Sequence, residues 1–121
     1  MSAAYENLPV YKQALDLTVY FETVVRHFER YHKYTIGAEL RNKCRSILML
    51  ITKANKKIDR KMYLEMAVRR LEELKILIRI AKEINAFRSL RSFEYAIKKT
   101  VDVAKQCEGW LRCQNSSSQK P

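Results

Sequence analysis

Apolar residues recur at helical spacing along most of the chain, in four separate segments. The first segment begins at Pro9, a residue favoured at the first position of a helix, and its apolar stripe runs to about Tyr31. The second begins at Ile36 or Gly37, with Thr35 as a candidate N-cap. The pattern therefore predicts two helices in the first half of the chain, separated by a break at residues 32–35.

Two further helices are predicted in the second half. Asp59 is a candidate cap for a third helix that runs to about Ala86, and Ser89 or Ser92 opens a fourth. Helices of about 20–27 residues are roughly 30–40 Å long, because each residue adds about 1.5 Å. Four helices of similar length with short connections predict an all-α fold, an antiparallel up-down four-helix bundle.

The composition is that of one folded domain. The chain has 121 residues, 47% of them hydrophobic, with two glycines and two prolines. A β-rich fold of this size would need more turn-forming residues. We therefore expect a single helical domain over residues 1–114. The segment 115–121 (NSSSQKP) has no apolar residue, so a disordered polar tail is expected there.

The third predicted helix has more apolar surface than one bundle buries. In the run LKILIRIAKEI at 74–84, apolar side chains cover most of the circumference, and Ile76 and Ile80 fall outside the core stripe. A helix that is apolar nearly all round is buried on more than one side. We therefore predict that Ile76 and Ile80 form a subunit interface of a homo-oligomer. The alternative is that both side chains are simply exposed, which is common for single apolar residues.

The charge of the chain points to an anionic partner. Lysine and arginine total 24 against 13 acids, which gives a formal net charge of +11. Such a charge is unfavourable through self-repulsion and is typical of proteins that bind RNA or DNA, with an anionic membrane surface as the second candidate. No uncharged run approaches the roughly 20 residues of a membrane span, so no membrane-spanning helix is expected. Of the two anionic partners we favour nucleic acid and expect no membrane partner.

One stretch of sequence concentrates the positive charge. Residues 41–61 contain eight cations against the single acid Asp59. Arg60 and Lys61 would lie in the first turn of the third helix, where a cation is disfavoured by up to about 1 kcal/mol. A phosphate group outside the chain would explain their presence there. The predicted nucleic-acid contacts are Arg41, Arg45, Lys53, Lys56, Lys57, Arg60 and Lys61.

Other surface charges are expected to neutralise one another within a helix. An acid four residues before a base supports a solvated helix. Five such pairs are predicted: Glu22–Arg26, Glu29–Lys33, Glu39–Lys43, Glu65–Arg69 and Glu94–Lys98.

Signals for catalysis are few. Arg26 and His27, followed after four residues by His32, resemble the motif of the helical HEPN ribonucleases, in which Arg and His act on phosphate. Here the pattern falls at the end of the first predicted helix instead of in the last one, so we favour a non-enzymatic protein. With two histidines, no metal site or cofactor is predicted. Trp110 ends an apolar stripe, which favours a core position over base stacking.

The cysteines indicate a reducing compartment. There are three, Cys44, Cys107 and Cys113, and residues 1–7 do not resemble a secretory leader. We expect free thiols at core positions of the helices in a cytoplasmic protein.

Several motifs together carry a family resemblance. They are LPVYK at 8–12, KYTIGAELRNKCRSILMLITKANKK at 33–57, RRLEELKILIRIAKEI at 69–84 and the closing Gln106-x-x-Gly109-Trp110. In this order they resemble the accessory variability determinant (Avd) proteins of diversity-generating retroelements. The same superfamily includes the proteins encoded by 23S rRNA intervening sequences. Those carry a SIPSNIAEG-like segment where this chain has SILMLITKANKK, so the resemblance is greater to the Avd branch.

The resemblance implies a function without catalysis. Avd proteins form barrel-shaped homopentamers and bind RNA and the reverse transcriptase of the retroelement, which copies a template RNA into mutated cDNA. By this resemblance the chain is a ring-shaped homo-oligomer that binds RNA, and possibly DNA, together with that enzyme. The alternatives are a protein of the 23S rRNA intervening-sequence type, a general RNA-binding or interaction module and, more distantly, a HEPN-like ribonuclease.

Overall fold

A computed structural model of the protein describes the backbone of residues 8–118 and the side chains of residues 8–115. The helices are α1 (Pro9–Arg26), α2 (Arg30–Tyr34), α3 (Ile36–Ala54), α4 (Arg60–Glu83) and α5 (Leu90–Ser118). The four long helices form an up-down bundle in which each packs against two others: α3 lies between α1 and α4, and α5 between α4 and α1. The all-α fold and the four-helix bundle are as predicted.

The predicted apolar stripes form the core of the bundle. Within α3, the residues that recur at helical spacing from Leu40 to Ile51 are almost completely buried. The largest fully buried side chains come from all four long helices and include Leu17, Phe21, Leu40, Ile47, Ile51, Leu64, Leu71, Leu74, Ile78 and Val103. Burial of each such side chain stabilises the fold by about 1.5–3 kcal/mol.

Two of the three cysteines are core residues. Cys44 and Cys107 are buried free thiols, and burial raises the pKa of both, in the case of Cys107 to about 12. Both therefore stay protonated and unreactive at neutral pH. Cys113, which was also expected in the core, is exposed because it falls on the outer face of α5.

The first helix is shorter than predicted. It ends at Arg26 and not at Tyr31, and the short helix α2 follows it. The break lets Phe28 turn into the core, where its ring lies 5.4 Å from that of Phe87 in an edge-to-face arrangement. Tyr31 is 74% exposed and does not continue the apolar stripe. Burial of one aromatic ring thus decides where α1 ends.

The turn from α2 into α3 depends on a close approach at Gly37. A Cβ atom on this residue would lie 2.6 Å from Val25 Cγ1 and 2.9 Å from the carbonyl oxygen of His32. Thr35 precedes α3, as predicted, but its side chain does not cap the helix, because its hydroxyl donates to the carbonyl of Tyr31 at 2.7 Å. The helices are joined here by tight backbone packing and not by a side-chain cap.

Of the two other predicted caps, one is confirmed. Ser89 precedes α5, and its hydroxyl oxygen accepts a hydrogen bond from the backbone N–H of Ser92 at 3.1 Å. Asp59 precedes α4 but adopts a left-handed conformation (φ 58°), and its carboxylate makes no cap hydrogen bond. An aspartate tolerates this conformation better than most residues, which explains its place in the turn.

The last two helices differ from the predictions at their C-termini. Helix α4 ends at Glu83 and not near Ala86, because Asn85 is left-handed (φ 61°) and the N–H of Ala86 donates to Ala81 at 2.8 Å. This arrangement is a Schellman motif. Helix α5 continues to Ser118, so the first four residues of the expected tail are helical, since extending an existing helix is easy. Residues 119–121 lie outside the described part.

The structure also bears on membrane association. Within residues 8–118, no helix combines the length and the apolar character needed to cross a bilayer.

The two glycines provide a test of the packing at the start of α3. Gly37→Ala should lower the free energy of unfolding by about 1–3 kcal/mol, because the new methyl group overlaps Val25 and a backbone carbonyl. Gly109→Ala is the matched control: its Cβ would meet one atom, Arg112 Nη2 at 3.7 Å, so the helix should gain up to about 1 kcal/mol. Urea unfolding followed by circular dichroism measures both. Equal effects of the two substitutions would contradict the close approach at Gly37.

Candidate nucleic-acid interface

A groove lies between α3 and α4, and we call it the α3–α4 groove. On the α3 side its floor is formed by residues at helical spacing, namely Asn42, Ser46, Met49 and Lys53, and its edges by Glu39, Lys43, Arg45 and Leu50. Met66, Arg70 and Leu77 face them from α4 with the same spacing. Two cavities of about 210 and 370 Å³ follow one another along it and share Asn42, Ser46 and Arg70. The groove therefore runs along both helices.

A single carboxylate holds two cations at this groove. Glu73 Oε1 lies 3.3 Å from Lys43 Nζ and 3.1 Å from Arg70 Nη1. Hydrogen bonds from Lys43 and then Arg70 hold the pKa of Glu73 below its usual range, so it is ionised at neutral pH. One negative charge thus serves two positive ones, while the carboxylate of Glu39 lines the same cavity, so the excess positive charge of the groove lies toward Lys53.

The same sharing occurs where α3 meets α1. Glu22 lies 3.3 Å from Arg41 Nε and accepts a hydrogen bond from Arg45 Nε at 2.7 Å. The guanidinium of Arg41 also donates to the backbone carbonyl of Glu22 at 2.7 Å. Two of the three arginines of the predicted basic cluster, Arg41 and Arg45, therefore have an acidic partner within the chain.

The predicted charge pairing within helices is wrong. In the described part of the chain, none of the five expected pairs (Glu22–Arg26, Glu29–Lys33, Glu39–Lys43, Glu65–Arg69 and Glu94–Lys98) lies within 4 Å. Instead, Glu22 of α1 pairs with Arg41 and Arg45 of α3, and Lys43 of α3 pairs with Glu73 of α4. A neighbouring helix offers a partner at a fixed position, whereas an exposed pair within one helix contributes only about 0.3–0.5 kcal/mol.

Arg60 has a role within the fold that the sequence argument missed. Its Nε donates to the carbonyl of Ala54 at 2.7 Å, and Nη2 donates to that of Asn55 at 2.8 Å. The guanidinium also lies 5.3 Å from the ring centre of Trp110, which is partly buried against the core, as predicted. The negative end of α3 therefore offsets the unfavourable position of Arg60 in the first turn of α4. An external phosphate is not needed to explain Arg60.

Four lysines of the predicted cluster are left without an acidic partner. Within the described residues, Lys53, Lys56, Lys57 and Lys61 are exposed and have no carboxylate within 4 Å. Lys53 lines the α3–α4 groove, and its ammonium group lies 5.8 Å from the ring centre of Tyr63. Lys56 and Lys57 lie in the turn between α3 and α4, and Lys61 is the second residue of α4. These four unpaired charges therefore lie at and beyond one end of the groove.

The sequence analysis also missed residues of the groove. Asn42, Ser46 and Arg70 line both cavities, yet none was among the predicted contacts. Asn42 and Ser46 are four residues apart on a polar face of α3, and Arg70 lies on α4, outside the stretch that was richest in charge. A search for polar residues at helical spacing would have found the first two. Arg70 becomes recognisable once α3 and α4 are known to be neighbours.

The ribonuclease-like pattern is divided between two helices. Arg26 is the last residue of α1, and His27 follows it with its backbone carbonyl accepting a hydrogen bond from Arg88. His32 lies in α2, with its ring 5.7 Å from that of Tyr31. The three residues therefore do not share one helical face. Among the described residues there is also no group of three or more side chains suited to hold a metal ion.

The role of Arg60 can be tested by its effect on stability. Arg60→Ala removes two charged hydrogen bonds to the end of α3 and the contact with Trp110, so the free energy of unfolding should fall by about 1–3 kcal/mol. Lys61→Ala, a change at the exposed neighbouring residue, should alter it by less than about 0.5 kcal/mol. Thermal and urea unfolding measure both variants. If the two variants had the same free energy of unfolding, the contacts of Arg60 with the carbonyl groups would contribute nothing to stability.

The chain was also compared with known protein families. A family model described as bAvd-like matches residues 9–114, which include all four long helices except the last residues of α5. A comparison with curated proteins finds no match. The resemblance carried by the motifs at 8–12, 33–57, 69–84 and 106–110 is confirmed at the level of the family. The chain belongs to the bAvd-like family.

Proposed function

We propose that this protein is a non-enzymatic, RNA-binding accessory factor of a diversity-generating retroelement, and that it holds template RNA and the reverse transcriptase together. Membership of the bAvd-like family supports the link to the retroelement. The observation that carries the RNA-binding part is the α3–α4 groove, with its row of cations and its unpaired lysines at one end.

The groove has the chemistry that a phosphate backbone requires. Arg70 uses one nitrogen of its guanidinium for Glu73, which leaves further N–H groups to donate to a phosphate. Asn42 and Ser46 are neutral donors in the same groove, and such side chains commonly contact phosphate and sugar. Contacts of this kind position a nucleic acid without reading its sequence. The protein would therefore bind RNA with affinity that depends strongly on salt.

The contact set differs from the one predicted from sequence. Lys53, Lys56, Lys57 and Lys61 remain in it as exposed, unpaired cations. Arg70 joins them from α4, and Arg45 lines the groove while it is paired to Glu22. Arg41 and Arg60 are engaged with carboxylate or carbonyl groups of the fold, and we assign them to the support of the groove.

We further propose that the protein assembles into a ring through α4. Ile76, Ile80 and Ile84 are 61%, 44% and 42% exposed and are spaced four residues apart, so they form an apolar stripe on the outer face of the bundle. Their burial would contribute roughly 25 cal/mol per Å² of area removed from water. A ring requires two different patches on each subunit, and the exposed Leu15 and Val19 of α1 offer a second one.

Charge reversal at the groove tests the RNA-binding proposal. Lys53→Glu combined with Lys57→Glu should weaken binding of a fluorescein-labelled single-stranded RNA by about tenfold or more at low salt. The slope of log K against log salt should become shallower by about 0.7 for each phosphate contact that is lost. Fluorescence anisotropy over a salt series measures both quantities.

A second double variant controls for net charge. Lys12→Glu with Lys105→Glu changes the charge by the same amount on exposed positions of α1 and α5. It should weaken binding several-fold less than the groove variant. Equal losses in the two variants would mean that net charge alone drives binding and would refute the assignment to the groove.

The ring is tested by mass. Size-exclusion chromatography with light scattering should give a discrete multiple of the 14.4 kDa subunit, with five as the number that the family resemblance implies. Ile80→Lys should disperse the assembly, because an ammonium group would be buried in an apolar contact. Lys75→Ala, a change beside the stripe, should not. A monomer at micromolar concentration would refute the ring.

The same chromatography with the reverse transcriptase present tests that partner by co-elution.

A further inference from the structure

Two tyrosines form an aromatic pair at the seam between α1 and α5. The ring centres of Tyr20 and Tyr95 are 4.7 Å apart, and the ring planes are inclined by 48°. Because α1 and α5 are the two helices that do not form the α3–α4 groove, this seam lies on the opposite side of the bundle. A cavity of about 400 Å³ opens here, lined by Tyr20, Ser89, Arg91, Ser92 and Tyr95. That volume is within the range of small-molecule sites, about 300–1,000 Å³.

The inner tyrosine is held in place by the fold. The hydroxyl of Tyr20 donates to the backbone carbonyl of Ser92 at 2.9 Å, and its ring meets that of Phe21 edge to face, with 5.7 Å between ring centres. Tyr20 is half-buried, which limits its movement further. It therefore provides a fixed inner wall for the cavity.

The outer tyrosine, Tyr95, is exposed, and its hydroxyl group makes no hydrogen bond within the described part of the chain. Its exposed fraction is 44%. Lys99 Nζ lies 5.5 Å from its ring centre, and Arg91 lines the cavity beside it. Between residues 88 and 99 there are four cations against the single acid Glu94. An exposed aromatic ring in a basic surround is typical of sites that bind unpaired bases.

We propose that Tyr95, supported from behind by Tyr20, stacks an unpaired nucleobase of RNA, and that Arg91 and Lys99 contact the phosphates next to it. This inference rests on the proposed RNA-binding function and specifies the kind of RNA. With 4.7 Å between their centres the two rings contact each other, so the base does not enter between them and stacks instead on the exposed part of Tyr95, from which the flexible Lys99 side chain moves to a phosphate. A base stacks on an aromatic face whatever its identity. A duplex keeps its bases paired and stacked inside, so the seam selects single-stranded RNA. The α3–α4 groove makes no such distinction, because both forms carry phosphates.

A tyrosine without these surroundings provides the matched control. Tyr34 is 71% exposed, but it lines none of the cavities described above, and no other ring contacts it in the described part. Tyr95→Ala should weaken binding of single-stranded RNA by about 5- to 100-fold. Tyr34→Ala should leave this binding unchanged, and Tyr95→Phe should restore it because the ring is retained. Binding of an RNA duplex of the same sequence should be equal for wild type, Tyr95→Ala and Tyr34→Ala.

The binding measurements on the groove variant and on Tyr95→Ala distinguish this inference from the RNA-binding function on which it rests. If wild type binds RNA and loses affinity through Lys53→Glu and Lys57→Glu, while Tyr95→Ala binds single strands as wild type does, base stacking at the seam is refuted and the groove stands. If wild type binds neither RNA, both are refuted.

Photocrosslinking gives a second readout on the unmodified protein. An RNA containing 5-iodouridine, irradiated in complex with wild type, should crosslink to the peptide that contains Tyr95 or Tyr20, as mass spectrometry would show. This measurement does not depend on the folding of a variant. Crosslinks confined to α3 and α4 would overturn the proposal.

Discussion

The buried face of α3 must contact α1 and α4 at once, and this requirement determines where its polar residues lie. Leu40, Cys44, Ile47 and Ile51 occupy that face and are almost fully buried. At 3.6 residues per turn, the residues between them fall on two flanks. Arg41 and Arg45 reach Glu22 of α1, Arg45 from the edge of the α3–α4 groove, and Lys43 faces α4, where Glu73 meets it. The groove and its charges thus follow from core packing.

The shared carboxylates fix the positions of the cations on the surface without cancelling their charge. Glu22 and Glu73 each serve two cations, so each cluster is held in place but not neutralised. Exposed ion pairs of this kind stabilise a fold by about 0–1 kcal/mol, so their contribution to stability is small. Their main effect is on position, because a guanidinium that is already oriented loses less entropy when a phosphate binds.

Most of the fold could be predicted from sequence, because the apolar stripes and the Ser89 cap depend on local spacing. The break before Phe28 could not, since it depends on a contact with Phe87, which is far away in the chain. The site was also less predictable than the fold, because it depends on contacts between residues that are far apart in the chain. Charge density identified the stretch from residue 41 to 61, but the partner of Arg60 and the position of Arg70 depend on which helices are neighbours. Asn85 itself was a signal in the sequence, because asparagine is common in the left-handed position that ends a helix, and it would have predicted the end of α4 more accurately.

The two candidate RNA surfaces differ in chemistry and lie on different sides of the bundle, which has a consequence for the RNA. If, as proposed, the α3–α4 groove contacts phosphates and the Tyr20–Tyr95 seam accepts a base, a single subunit cannot place one short strand on both without leading it around a helix. In a ring, the groove of one subunit and the seam of another could be engaged by the same RNA. Linked weak sites then gain affinity through effective concentration. An RNA with both paired and unpaired segments would satisfy both surfaces, whereas a uniform duplex would satisfy the groove alone.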